Sequence, residues 1–244
     1  METFAALKTF HDRLLRLASA LRFNKGDPVA LHRVALYGTL LELTGCMIHL
    51  VEHKDRTGVP SLFRAFLEAA VELRNLMKDA GYIDHMMASH VDQWLKVLKE
   101  AKKGKNPYLA SIAASQNLDK QVTDHEKEIR ELKARGKHPL NVFERFKRAN
   151  MVDEYRSLYN FLSCDSHSNI RALISRHIER RDNDFKIVFY KDEPIETFLA
   201  TLDSTAGLLI EASLSVHKAF NSGSLIEIQK TREELNAMRA KQAA

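Results

Sequence analysis

An all-α fold is what this sequence predicts, on three observations. Glycine and proline are sparse, nine and five in 244 residues, and the intervals between them accommodate helices of five or more turns. Within those intervals apolar residues recur at helical spacing, as with Phe63, Phe66, Leu67 and Val71 in LFRAFLEAAVELRNLM. A single run, DFKIVFY at 184–190, has the β-branched and aromatic content of a strand. The expected architecture is a helical bundle with a short β-hairpin or extended insertion near 184–192.

The elements follow from their start and stop signals. An opening helix is expected over about Thr3 to Phe23. Asp27 can then cap a second helix with Pro28 in its first turn, running to about His53. DRTGVPS at 55–61 breaks the chain before the LFRAFLEAAVELRNLM helix, Gly81 precedes a helix through WLKVLKEAKK, and GKNP at 104–107 ends it. DHEKEIRELKARG reads as a solvated helix ended by GKHP at 136–139. A central helix is expected from about Val152 to Glu179, and a long apolar helix follows Pro194. After NSGS at 221–224, Leu225, Ile228, Leu235 and Met238 mark an amphipathic terminal helix. The expected division is one bundle over 1–221 with that helix, 222–244, appended.

Composition narrows the function. Cys46 and Cys164 are the only cysteines, far apart in apolar surroundings, which suits a reducing compartment rather than a disulfide framework. The longest apolar stretch, Ala35 to Val51, is interrupted by Glu42 and His49, so no membrane association is expected and a cytoplasmic location is. The chain carries a net charge of +5, and residues 96–150 hold 14 Lys and Arg against 7 Asp and Glu. Such a segment, with Lys147 and Arg148 near its end, could hold a phosphate backbone, although a solvated helical face explains it as well. Gly-rich phosphate loops, GxSxG elbows and HExxH motifs are missing. His85 and His90, five apart, fall about 140° from each other on a helix, and neither a metal nor a cofactor is expected.

The residues with chemistry are concentrated in two helices. In YNFLSCDSH, residues 159–167, Tyr159, Ser163 and His167 stand four apart with Arg171 four further on, which places neighbours on one helical stripe. A serine-hydrolase reading fails because Asp165 points away from Ser163 and His167, and helix-interior N–H groups cannot form an oxyanion hole. Arg64 and Glu68, also four apart, lie on a face with apolar neighbours, so their charges require compensating hydrogen bonds. The polar stripe could supply them, forming a junction between two central helices.

With those residues in view, the chain resembles a family of bacterial helical proteins of unknown function that pair an RxxxE helix with a later YxxxSxxxH helix. LFRAFLEAAVELRNL and YNFLSCDSHSN carry the likeness, which extends loosely from about Ala35 to Phe220. That family is similar to higher-eukaryote-and-prokaryote nucleotide-binding (HEPN) domains, whose active members are metal-independent ribonucleases of toxin, antiphage and CRISPR systems, usually dimeric. The resemblance implies His167 as general acid or base, with Arg64, Glu68, Ser163 and Tyr159 around it, a homo-oligomer, and RNA or a nucleotide as partner. The HEPN pattern places an arginine before the histidine, whereas Asn160, Phe161 and Leu162 precede His167 at that spacing. RALISRH, Arg171 to His177, does fit but lies after the family motif; Arg171 is otherwise expected to contact nucleic acid. The competing expectation is a non-catalytic interaction module whose polar seam is structural.

Overall fold

The computed structural model describes residues 2–166, 169–181, 184–191 and 193–243. The fold is all-α with one two-stranded hairpin. In chain order the helices are α1 (Glu2–Ala18), α2 (Pro28–Glu52), α3 (Val59–Lys78), α4 (Ile83–Lys102), the short α5 (Ala110–Ala113), α6 (Leu118–Ala134) and α7 (Val142–Arg148). They continue as α8 (Val152–Glu154), a π-helical turn (Tyr155–Tyr159), α9 (Asn160–Ser166) and α10 (Ile170–His177). Strands β1 (Ile178–Arg181) and β2 (Asp184–Ile187) lead into α11 (Leu199–Ala219) and α12 (Leu225–Ala243). Two compact units result, one from residues 1–77 and 146–244, the other from 78–145.

In the larger unit α2 and α11 are the apolar centre, with α1 packed on both and α12 packed on α11. Asp27 caps α2 by accepting a hydrogen bond from the Val29 N–H at 2.9 Å, with Pro28 at the first helical position, as the sequence predicts. Both α2 and the stretch Ile195–Ala219 are long and apolar enough to cross a membrane by length and composition. Here they act as core helices, burying Tyr37, Leu40 and Met47 on one and Leu202, Leu209 and Val216 on the other. Their buried hydroxyls are paired, the Tyr37 and Ser213 oxygens lying 2.8 Å apart with Ser213 donating to the Leu209 carbonyl, whereas buried His217 of α11 leaves its Nε2 without a partner among the described residues. Arg13 of α1 fastens α12 by donating to Thr231 at 2.8 Å and Glu234 at 2.9 Å. Of the terminal seam expected from the sequence, Ile228, Leu235 and Met238 are buried, with Thr231 among them.

The smaller unit is built on the α4–α6 pair. Val91, Leu95 and Leu98 meet Leu118, Val122, Ile129 and Leu132 in one cluster. Part of the basic surplus is paired at its rim, Lys99 with Glu126 at 2.7 Å and Lys102 with Asp119 at 2.6 Å. His85 is buried with Nδ1 2.9 Å from the His138 carbonyl, while His90 is exposed, so the two histidines do not converge.

The segment after residue 150 differs most from its expectation. In place of one helix over 152–179, the chain winds into a π turn at 155–159, ends a helix at Ser166 and starts another at Ile170. Asn169 (ψ 146°) caps that new helix through the Arg171 N–H at 2.9 Å. The chain then extends, and the hairpin comes earlier than expected, pairing Ile178 with Ile187 and Arg180 with Phe185 in antiparallel register. Asn169, which stops the stripe, is a strong helix-capping residue, and β-branched Ile178 opens the strand.

Burial raises the Tyr37 hydroxyl to about 12, against the opposing effect of its Ser213 hydrogen bond. A folded-state value above the unfolded one gives stability fully present below pH 10 and lost as pH rises through 12, on the order of 3 kcal/mol. Urea unfolding across that window should show the decline, and Tyr37→Phe should flatten it.

Candidate functional site

The site lies where α3 meets the π turn. α7 begins with a reciprocal cap in which the Asn141 side chain accepts from the Glu144 N–H at 2.9 Å and Glu144 accepts from the Asn141 N–H at 2.8 Å. It ends with Asn150 in the left-handed region (φ 57°), the Met151 N–H donating to the Phe146 carbonyl and the Asn150 N–H to that of Lys147. This reversal brings the chain back at Val152 and sets the buried Phe146 ring against Tyr155 and Tyr159, with centroids 5.4 and 5.0 Å away. Tyr155 and Tyr159 stack at 5.5 Å and 16°.

Four residues apart, Tyr155 and Tyr159 are neighbours along the wound chain. The Asn160 N–H reaches back to the Tyr155 carbonyl, which widens the turn to π geometry. Tyr159 is thereby directed onto α3, where it is 4% exposed. Its hydroxyl accepts from Arg64 Nη2 at 2.9 Å and donates to Glu68 Oε1 at 2.8 Å. Arg64 Nε lies 3.5 Å from the same carboxylate oxygen, and the guanidinium carbon sits 5.0 Å from the Tyr159 ring centroid. One hydroxyl therefore uses its donor and an acceptor position together, bridging a cation and an anion that already face each other on one helix.

Electrostatically the hydroxyl stays neutral. Burial raises its pKa; the Arg64 hydrogen bond opposes this, and the Glu68 carboxylate, which accepts the Tyr159 proton, reinforces it. The charged pair is only partly shielded, with Arg64 and Glu68 side chains 20% and 33% exposed. A polar ligand approaching from solvent could reach both.

Of the residues singled out from the sequence, Arg64, Glu68 and Tyr159 meet directly. Ser163 is half-buried, one turn further along α9. His167 lies outside the described residues. Arg171 belongs to α10, beyond the Asn169 cap, and is exposed with its guanidinium 5.2 Å from the Phe161 ring centroid. Lys147 and Arg148 are exposed at the end of α7. In RALISRH, Arg171 and His177 stand at opposite ends of α10, about 120° apart around it, and His177 Nδ1 is 3.1 Å from the Val188 carbonyl. Sequence reasoning missed Phe146 and Tyr155, whose signal was the second four-residue tyrosine spacing.

Replacing Tyr159 by Phe should cost about 1 to 2 kcal/mol in urea unfolding, since it leaves a carboxylate and a guanidinium without their bridge. Glu68→Gln should cost less, about 1 kcal/mol or under, because solvent screens a third-exposed carboxylate.

Comparison with known proteins finds no match among curated proteins and none among solved structures. One family profile, described as "Family of unknown function (DUF5677)", matches residues 32–186, which span α2 through β2 and contain both Arg64 with Glu68 and Tyr159 with Ser163. With well over half its length matched, this chain belongs to the DUF5677 family.

Proposed function

We propose that this protein is an HEPN-like RNA- or nucleotide-interacting protein, acting as a metal-independent ribonuclease-type effector in stress or phage defence in the cytoplasm, as a homo-oligomer. The observation that carries the reading is the Arg64–Tyr159–Glu68 junction, a cation and a carboxylate held in fixed geometry and still partly open to solvent. In this reading His167, four residues after Ser163 in sequence, exchanges a proton with a ribose 2′-hydroxyl. Arg64 stands in for the arginine that the HEPN pattern places before the histidine, opposing charge that develops on phosphate. Tyr159 and Glu68 position that arginine, Ser163 lies beside the path, and Arg171, Lys147 and Arg148 contribute cations toward the nucleic-acid backbone.

A second reading is favoured by the depth of Tyr159, 4% exposed, and by the closure of the bridge on itself. There the junction is a structural seam that fixes how the 152–166 segment docks on α3, and the protein is a non-catalytic interaction module.

His167→Ala distinguishes the two. In the ribonuclease reading, cleavage of mixed cellular RNA without added metal should fall about a hundredfold to ten-thousandfold while urea unfolding hardly changes. In the seam reading there is no cleavage to lose, and stability should drop by roughly 1 to 3 kcal/mol.

A further inference from the structure

We propose that the exposed arginine–aromatic pairs Arg171–Phe161 and Arg180–Phe185, with Phe189 and Tyr190, form a stacking surface for single-stranded RNA; this rests on the RNA reading above and names the form of RNA and the surface that takes it. Aromatic side chains ordinarily bury most of their area, yet Phe161, Phe185, Phe189 and Tyr190 are 54, 62, 74 and 91% exposed. Tyr190 is in addition held in the left-handed region (φ 54°), a conformation that costs a bulky side chain energy, with its ring almost wholly in solvent.

Cations accompany these rings in a specific way. The Arg171 guanidinium sits over Phe161 at 5.2 Å. In the hairpin, Arg180 is the direct partner of Phe185, and Ile178 of Ile187, so strand alternation puts these four on one face. The same alternation places both strand carboxylates, Glu179 and Asp184, on the opposite face together with Lys186, where Asp184 accepts from the Phe185 N–H. Among the described strand residues, the ring-bearing face therefore carries Arg180 and apolar side chains and no carboxylate. Over residues 169–191 the chain carries six Lys and Arg against three Asp and Glu.

That combination distinguishes among occupants. A second copy docking through this face by two-fold symmetry would set the surface against itself, arginine toward arginine, with no acidic partner among the described strand residues of the face to compensate. A polyanion with flat, apolar bases matches both features, because bases stack on exposed rings while arginines meet phosphates. Stacking needs unpaired bases, so a single strand fits and a duplex, whose bases are already stacked, does not.

The test measures anisotropy of a short fluorescein-labelled oligouridylate and of a blunt RNA duplex of equal length, with cleavage followed in parallel on gels. The parent protein should bind the single strand at least tenfold more tightly than the duplex. Phe185→Ala and Phe189→Ala should each weaken single-strand binding roughly fivefold to a hundredfold with an unchanged circular dichroism spectrum, and Arg180→Ala should reduce the salt dependence by about 0.7 in log–log slope. RNA binding or cleavage retained in full by the Phe185→Ala/Phe189→Ala variant would overturn the stacking surface and leave the RNA reading standing. A parent that neither binds nor cleaves RNA would overturn both. A concentration-dependent dimer in sedimentation that the double variant loses, with RNA binding unaltered, would assign the face to a second copy and sink the proposal.

Discussion

The polar architecture of this protein depends on one tyrosine hydroxyl. A partly shielded guanidinium and carboxylate on the same helix face would each be poorly compensated by the other alone, because the i,i+4 contact is at 3.5 Å and a single pair seldom offsets desolvation. The Tyr159 hydroxyl inserts between them with a short hydrogen bond on each side. Its ring at the same time packs on Phe146 and Tyr155. Polar satisfaction and aromatic packing thus converge on one residue, and together they fix the rotation and height at which the 152–166 segment rests on α3.

Much of this was legible in the sequence, for identifiable reasons. Asp27–Pro28 marks the start of α2 because a capping carboxylate followed by a residue lacking an N–H leaves little alternative. The meeting of Arg64, Glu68 and Tyr159 follows from charges on an apolar helix face requiring partners, which the polar stripe on the later helix could supply. The start of a new helix at Ile170 was hidden because nothing in SCDSHSN is a glycine or proline. It was Asn169, acting as a cap, that stopped the stripe and separated Arg171 from Tyr159. The π turn has no compositional mark, and the ring contacts of Tyr155 and Tyr159 with Phe146 that accompany it depend on the chain reversal after α7.

Charge is distributed between two settings with different physical roles. In the 78–145 unit, lysines pair with carboxylates along the α4–α6 rim, so a surplus counted from sequence overstates the field available to a ligand. In the hairpin, strand alternation sorts charges by face: Arg180 lies with Phe185, while Glu179, Asp184 and Lys186 share the other side. A basic count along a chain is therefore a weaker guide to polyanion binding than the register that decides which side chains share a surface.

The π turn has a consequence for how the family's sequences can vary in length. A π turn is an α-helical turn carrying one additional residue. Deleting any one residue between Tyr155 and Tyr159 would let the helix close with ordinary bonds, locally at little energetic cost. Because the wide turn already absorbs that residue, everything beyond would keep nearly the same facing, and a tyrosine retained at the Tyr159 position, with Ser163 after it, would still meet α3. A single-residue gap at this point of an alignment would thus mark loss of the π turn and not of the bridge.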